Sequence, residues 1–165
     1  MRYFKKIFLS LFIFSFFSVH AQTALSSAML KPARGAIAPF SSFTQKDSLI
    51  LICFWSVNSD VSIDELNAIN AHYDSWKEAV KFKLMAVSVD EGKLANRVRP
   101  TAIMNSWTFD VFVDINSDLQ KALSSNNFPQ SFIIKKGKVV YQQSGYEAGT
   151  ENYLFQKIAE VSKLH

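Results

Sequence analysis

The stretch CFWSVNSDVS, residues 53–62, gathers side chains that could carry nucleophilic or redox chemistry: Ser59 and Ser62 three residues apart, and Cys53 six residues before the first of them. A thiol reacts as its thiolate, whereas a serine hydroxyl becomes a nucleophile only beside a base within hydrogen-bond reach. The histidines do not supply that base. His72 lies ten residues past Ser62, which along a helix is roughly 15 Å. His20 sits in an apolar N-terminal segment and His165 is the last residue. The serines therefore read as helix-capping groups, a role for which serine ranks high. Cys53, the only cysteine, lies inside an apolar run and reads as a buried small hydrophobe, with an intermolecular disulfide as the other use of a lone thiol.

The elements around this stretch follow from hydrophobic period. SLILICFW, from Ser48 to Trp55, is a continuous apolar run and predicts a strand covered on both faces. Ile63, Leu66, Ile69, Tyr73, Trp76 and Val80 recur at spacings of three and four, which predicts a long helix beginning at the turn. FKLMAVSV from Phe82 predicts a second buried strand, and DEGKLANRVRPTAIMNSW a weaker helix that Pro100 should interrupt or kink. FDVFVD and NSDLQKALSS follow as a short strand and a short helix. SFIIKKGKVVYQQSGY reads as an antiparallel hairpin, and residues 150–164 as a closing helix with Leu154, Ile158 and Val161 on one stripe. Strands joined by helices and finished by a hairpin imply an α/β fold, a central mixed sheet flanked by helices on both faces.

Residues 1–21 have the form of a secretory signal. Arg2, Lys5 and Lys6 precede an apolar run of 13 residues and the small residues Val19 and Ala21, which favours cleavage after Ala21. The run is too short to cross a bilayer comfortably, so an uncleaved anchor is the weaker reading and no stable membrane anchor is expected after cleavage. Residues 22–44 read as an irregular lead-in and 45–165 as one domain. Loss of the signal takes three basic residues, leaving 15 Lys and Arg against 14 Asp and Glu. Near-neutral charge and export speak against nucleic acid, and the periplasm is the expected destination.

With these elements in order, the chain resembles the thioredoxin superfamily, and within it the exported TlpA-like branch close to the redoxin group. The resemblance rests on FWSVNSDVS with Glu65 in the acidic position, on MAVSVDEG, on WTFDVFVDINSDLQKAL, which matches the strand and helix inserted in this branch, and on NFPQSFIIKKGKVVYQQSGY. It covers the chain from about Pro39 onward. Members carry a Cys-x-x-Cys whose first thiolate attacks a disulfide and whose second resolves the mixed disulfide. Here Ser59 and Ser62 occupy both positions, and oxygen does not form that intermediate. Asp60 adds a negative charge where a thiolate would be disfavoured.

The resemblance further implies a cis bond before Pro129, a backbone at Phe128 that pairs with an extended substrate segment, and a groove lined by Trp55, Asn58, Ser59, Asp60, Phe128 and Pro129. The expected activity is thus peptide or envelope-protein binding without dithiol chemistry. The alternative is a divergent thiol-disulfide oxidoreductase or redoxin working through Cys53 and a partner thiol.

No cofactor is implied. Asp114, Asn116 and Asp118 have the opening spacing of a calcium loop, but Leu119 and Ser125 stand where glycine and a bidentate glutamate are needed, so a turn and helix cap is the better account. Lys135, Lys136 and Lys138 mark a solvated hairpin turn, with no aromatic residues interleaved for nucleic acid.

Overall fold

The computed structural model describes residues 23–45 and 48–164, so the signal segment, His20 and His165 lie outside the described residues. Seven strands form one mixed sheet: β1 (Met29–Pro32), β2 (Ala38–Pro39), β3 (Leu49–Trp55), β4 (Lys83–Ser88), β5 (Asp110–Val113), β6 (Gln130–Lys135) and β7 (Lys138–Ser144), in the order β2-β1-β5-β4-β3-β6-β7. β3 is an interior strand, parallel to β4 and antiparallel to β6, and β4 runs parallel to β5.

The apolar run from Leu49 is continuous because both faces of β3 are covered. Leu51, Cys53 and Trp55 face one layer, Ile50, Ile52 and Phe54 the other, and every residue of the strand is buried. On the first face lie α1 (Asp60–Ala79), through Leu66, Ile69, Tyr73 and Trp76, and α5 (Thr150–Ser162), through Leu154, Ile158 and Val161. Between them in the chain come α2 (Gly92–Ala95), α3 (Val98–Met104) and α4 (Asp118–Ala122). The second face is covered by Leu119 and Leu123 from the α4 region and by Leu25 and Phe40 from the N-terminal part. Each large side chain buried this way contributes on the order of 1.5–3 kcal/mol.

Two expectations change. The described part of the expected irregular lead-in, 23–44, holds regular structure: β1 pairs antiparallel with β5, and Leu30 and Phe40 belong to the core. Four residues ending in proline are too short to show an alternation in the sequence, so β1 exists because β2 and β5 pair with it on either side. Pro100 does not break a helix either. It occupies the third position of α3, where its absent N–H would have no intrahelical partner, and the break between α2 and α3 falls before it at Asn96 and Arg97.

The β6–β7 hairpin turns at Lys136 and Gly137, both with positive φ (51° and 73°), as a two-residue turn of the I′ kind requires. Lys135 reaches from β6 to the carboxyl end of α5, where its ammonium donates to the Val161 carbonyl at 2.7 Å and also to the Leu164 carbonyl. The Asp114 carboxylate accepts from the backbone N–H groups of Leu119 (3.2 Å) and Gln120 (2.8 Å), which caps the start of α4.

Candidate functional site: the turn between β3 and α1

Strand register gathers the site at one end of the sheet. Trp55 closes β3 opposite Ser88 of β4, and Gln130 opens β6 opposite Phe54, so the Ser56–Ser59 turn, the Ser88–Asp90 segment and the Phe128–Pro129 segment all leave or enter the sheet there. In α/β sheets this carboxyl end of the parallel strands is where ligands bind.

Asp90, only 4% exposed, anchors the turn. Its Oδ1 accepts from the Ser56 hydroxyl at 2.7 Å, and its Oδ2 accepts from the Val57 N–H at 2.8 Å and the Ser88 hydroxyl at 2.7 Å. The Ser88 hydroxyl in turn accepts from the Asp90 N–H at 3.0 Å. A carboxylate taken out of water is tolerable where its lone pairs are filled in this way. Sequence reasoning missed Asp90; its signal was an aspartate two residues past a buried strand.

Ser59 has extended backbone (φ −111°, ψ 95°) and caps α1. Its Oγ accepts from the Ser62 N–H at 3.3 Å and from the Ser62 hydroxyl at 2.7 Å. The two motif positions thus face each other and are joined through a hydroxyl-hydroxyl hydrogen bond. Ser59 is half-buried, and Ser62 has no exposed surface. No histidine among the described residues bonds to either; His72 is exposed on α1 and stacks on Trp76, with ring centroids 6.0 Å apart. The pair therefore has the geometry of a cap, and no base among the described residues is hydrogen-bonded to it as a serine nucleophile would need.

Below the turn sits a second buried polar group. Glu65, 1% exposed, accepts from the Ser131 hydroxyl at 3.1 Å through Oε1, while Oε2 has no hydrogen-bond partner among the described residues. Burial pushes its pKa up to about 7, the Ser131 hydrogen bond opposes the rise and the Glu151 charge adds to it. Ser131 is the register partner of Cys53. The Cys53 thiol is wholly buried; desolvation first, and the Glu65 charge second, raise its pKa well above the ordinary thiol value. Cys53 thus has the environment of a buried small hydrophobe, whereas a reactive thiol needs access and a pKa low enough to ionise.

The other expected site residues separate into two groups. Asn58 and Asp60 are exposed at the turn, and the Arg97 guanidinium donates to the Asn58 side-chain Oδ1 at 3.4 Å. The Phe128–Pro129 peptide is cis. Phe128 is half-buried and forms no backbone hydrogen bond among the described residues, whereas the Pro129 carbonyl accepts from the Gly145 N–H at 2.9 Å. Trp55 does not line a groove. It has no exposed surface and packs edge-on against Trp107 at 4.8 Å, so it supports the turn from beneath; a large aromatic next to a surface loop gave no sequence sign of which side it would take.

The AhpC/TSA family profile matches residues 22–142. A thioredoxin-like protein from Porphyromonas gingivalis is 33% identical, with a TM-score of 0.73 over 84% of this chain and 92% of that one. The bacterioferritin comigratory protein of Xanthomonas campestris, studied for alkyl peroxide reduction, superposes with a TM-score of 0.72 at 16% identity, covering 86% of this chain and 96% of its own. A putative protein disulfide isomerase from Bacteroides thetaiotaomicron gives 0.68 at 20% identity, covering 82% and 86%. No curated protein matches the chain. The last two structures speak for the fold alone, and the profile match over most of the chain carries the assignment: the chain belongs to the AhpC/TSA family of the thioredoxin superfamily.

Proposed function

We propose that this chain is an exported, redox-inactive thioredoxin-like domain that binds an extended peptide or protein segment across the turn face. The observation that carries it is the serine pair: both motif positions hold hydroxyls engaged with each other at 2.7 Å, and the one thiol, Cys53, is buried. Dithiol exchange needs an attacking thiolate and a resolving thiol, and the turn supplies neither.

What remains is a rigid surface. Asp90 fixes the turn, Asn58 and Asp60 are exposed on it, and Phe128 offers backbone N–H and C=O groups that no other described residue uses. An extended segment would take those groups by main-chain pairing, as strand-adding peptides do elsewhere. The signal-like form of residues 1–21 supports delivery to the periplasm.

The binding half is tested by NMR titration of the mature chain with reduced, carboxymethylated α-lactalbumin, a permanently unfolded probe. The expected result is saturable amide shifts confined to Asn58–Asp60 and Phe128–Gln130. Absence of shifts there at saturating probe overturns the peptide-binding reading.

A further inference from the structure

A second concave surface lies away from the turn. A groove of about 620 Å³ runs along β5 and α3, in the size range of small-molecule sites, and its lining includes none of the turn residues. Its apolar lining includes Phe43, Ile103, Trp107 and Phe109, and two arginines, Arg34 and Arg99, complete it.

Three observations limit what fits. First, neither arginine has a carboxylate partner among the described residues, whereas the acidic lining residue, Asp110, is already paired with Lys83 at 3.0 Å. The groove therefore carries uncompensated positive charge above aromatic walls. Second, apolar surface continues outward from it: Ile103 is 56% exposed and the adjacent Met104 84%. Third, the outer edge of β5 beside the groove is in use, since β1 pairs with it and the Val111 carbonyl accepts from the Ala33 N–H at 2.8 Å. A strand cannot add there, which disfavours an extended peptide as the occupant.

We propose that this groove binds a long-chain carboxylate, an acyl chain lying on Phe43, Trp107 and Phe109 with its anionic head on Arg34 and Arg99. Arginine's planar fork suits a carboxylate, and its weak hydration lowers the cost of placing it beside apolar walls. Trp107 joins this groove to the turn region, because its ring packs on Trp55 and its Nε1–H donates to Asn67 of α1 at 2.8 Å. The site nonetheless stands independently of any peptide binding at the turn.

The test is titration of the mature chain with dansyl-labelled undecanoate, followed by competition with dodecanoate and with dodecanol, which keeps the chain and lacks the charge. Saturable binding is expected, with dodecanol competing at least about tenfold more weakly than dodecanoate. The Arg34→Ala/Arg99→Ala variant should bind the probe about tenfold or more weakly, and Ile103→Glu should weaken it as well. All three side chains are exposed, so unchanged circular dichroism and thermal midpoint separate lost binding from lost folding. Equal competition by dodecanol, wild-type affinity in the double arginine variant, or displacement by an acidic peptide with no effect of dodecanoate would overturn the proposal.

Discussion

Ser56 and Asp90, separated by 34 positions in the chain, meet through a 2.7 Å hydrogen bond that ties the β3–α1 turn to the end of β4. The same carboxylate also holds Val57 and Ser88. Asp90→Ala leaves three donors without their acceptor and is expected to cost about 2–4 kcal/mol, read by urea denaturation. Asp90→Asn, which keeps one acceptor oxygen, should cost less.

Ser59 acts on stability through its cap. Ser59→Ala removes the acceptor for both the Ser62 N–H and the Ser62 hydroxyl and should cost about 1 kcal/mol, whereas Ser59→Asn should stay within a few tenths of wild type. A catalytic serine would behave differently: any hydrolytic activity would vanish equally in both variants.

Glu65 makes the fold sensitive to pH. Its folded pKa of about 7 lies above its ordinary value of 4.5, so between these values the folded state binds more protons than the unfolded one. Stability contributed by the neutral carboxyl is fully present below 4.5, declines as pH rises through about 7, and is level beyond it. The facing groups are Cys53, Ser131, Glu151 and Tyr146, and none supplies a compensating positive charge. Denaturation at a series of pH values should show a loss of roughly 3 kcal/mol across this window in the wild type and a much flatter profile in Glu65→Gln.

How much of this was legible in the sequence depended on how far each signal reached along the chain. The run Leu49–Trp55 and the stripe from Ile63 to Trp76 declared a buried strand and an amphipathic helix, because burial on two faces or one leaves an uninterrupted or periodic pattern. Ser59 was legible as a cap for the same local reason. β1 was not, since four residues ending in Pro32 become a strand by pairing with β2 and with β5, the latter more than seventy residues away. The roles of Asp90, Trp55 and Ser131 were hidden likewise: each is set by a neighbour distant in the sequence.

Cys53 should be inert in the native protein. Its burial and its raised pKa both act against alkylation, so iodoacetamide at neutral pH is expected to label it only after unfolding, as read by intact mass. Labelling of the native chain at the rate of an exposed thiol would return Cys53 to the list of redox candidates.

The central claim is that the serine pair removes dithiol chemistry from an otherwise preserved turn, and insulin reduction in the presence of dithiothreitol tests it most directly. The wild-type mature chain should leave the rate at the dithiothreitol background, while Ser59→Cys/Ser62→Cys, which places two sulfurs at positions whose side chains already meet, should raise it above that background. Acceleration by the wild-type chain would contradict the account.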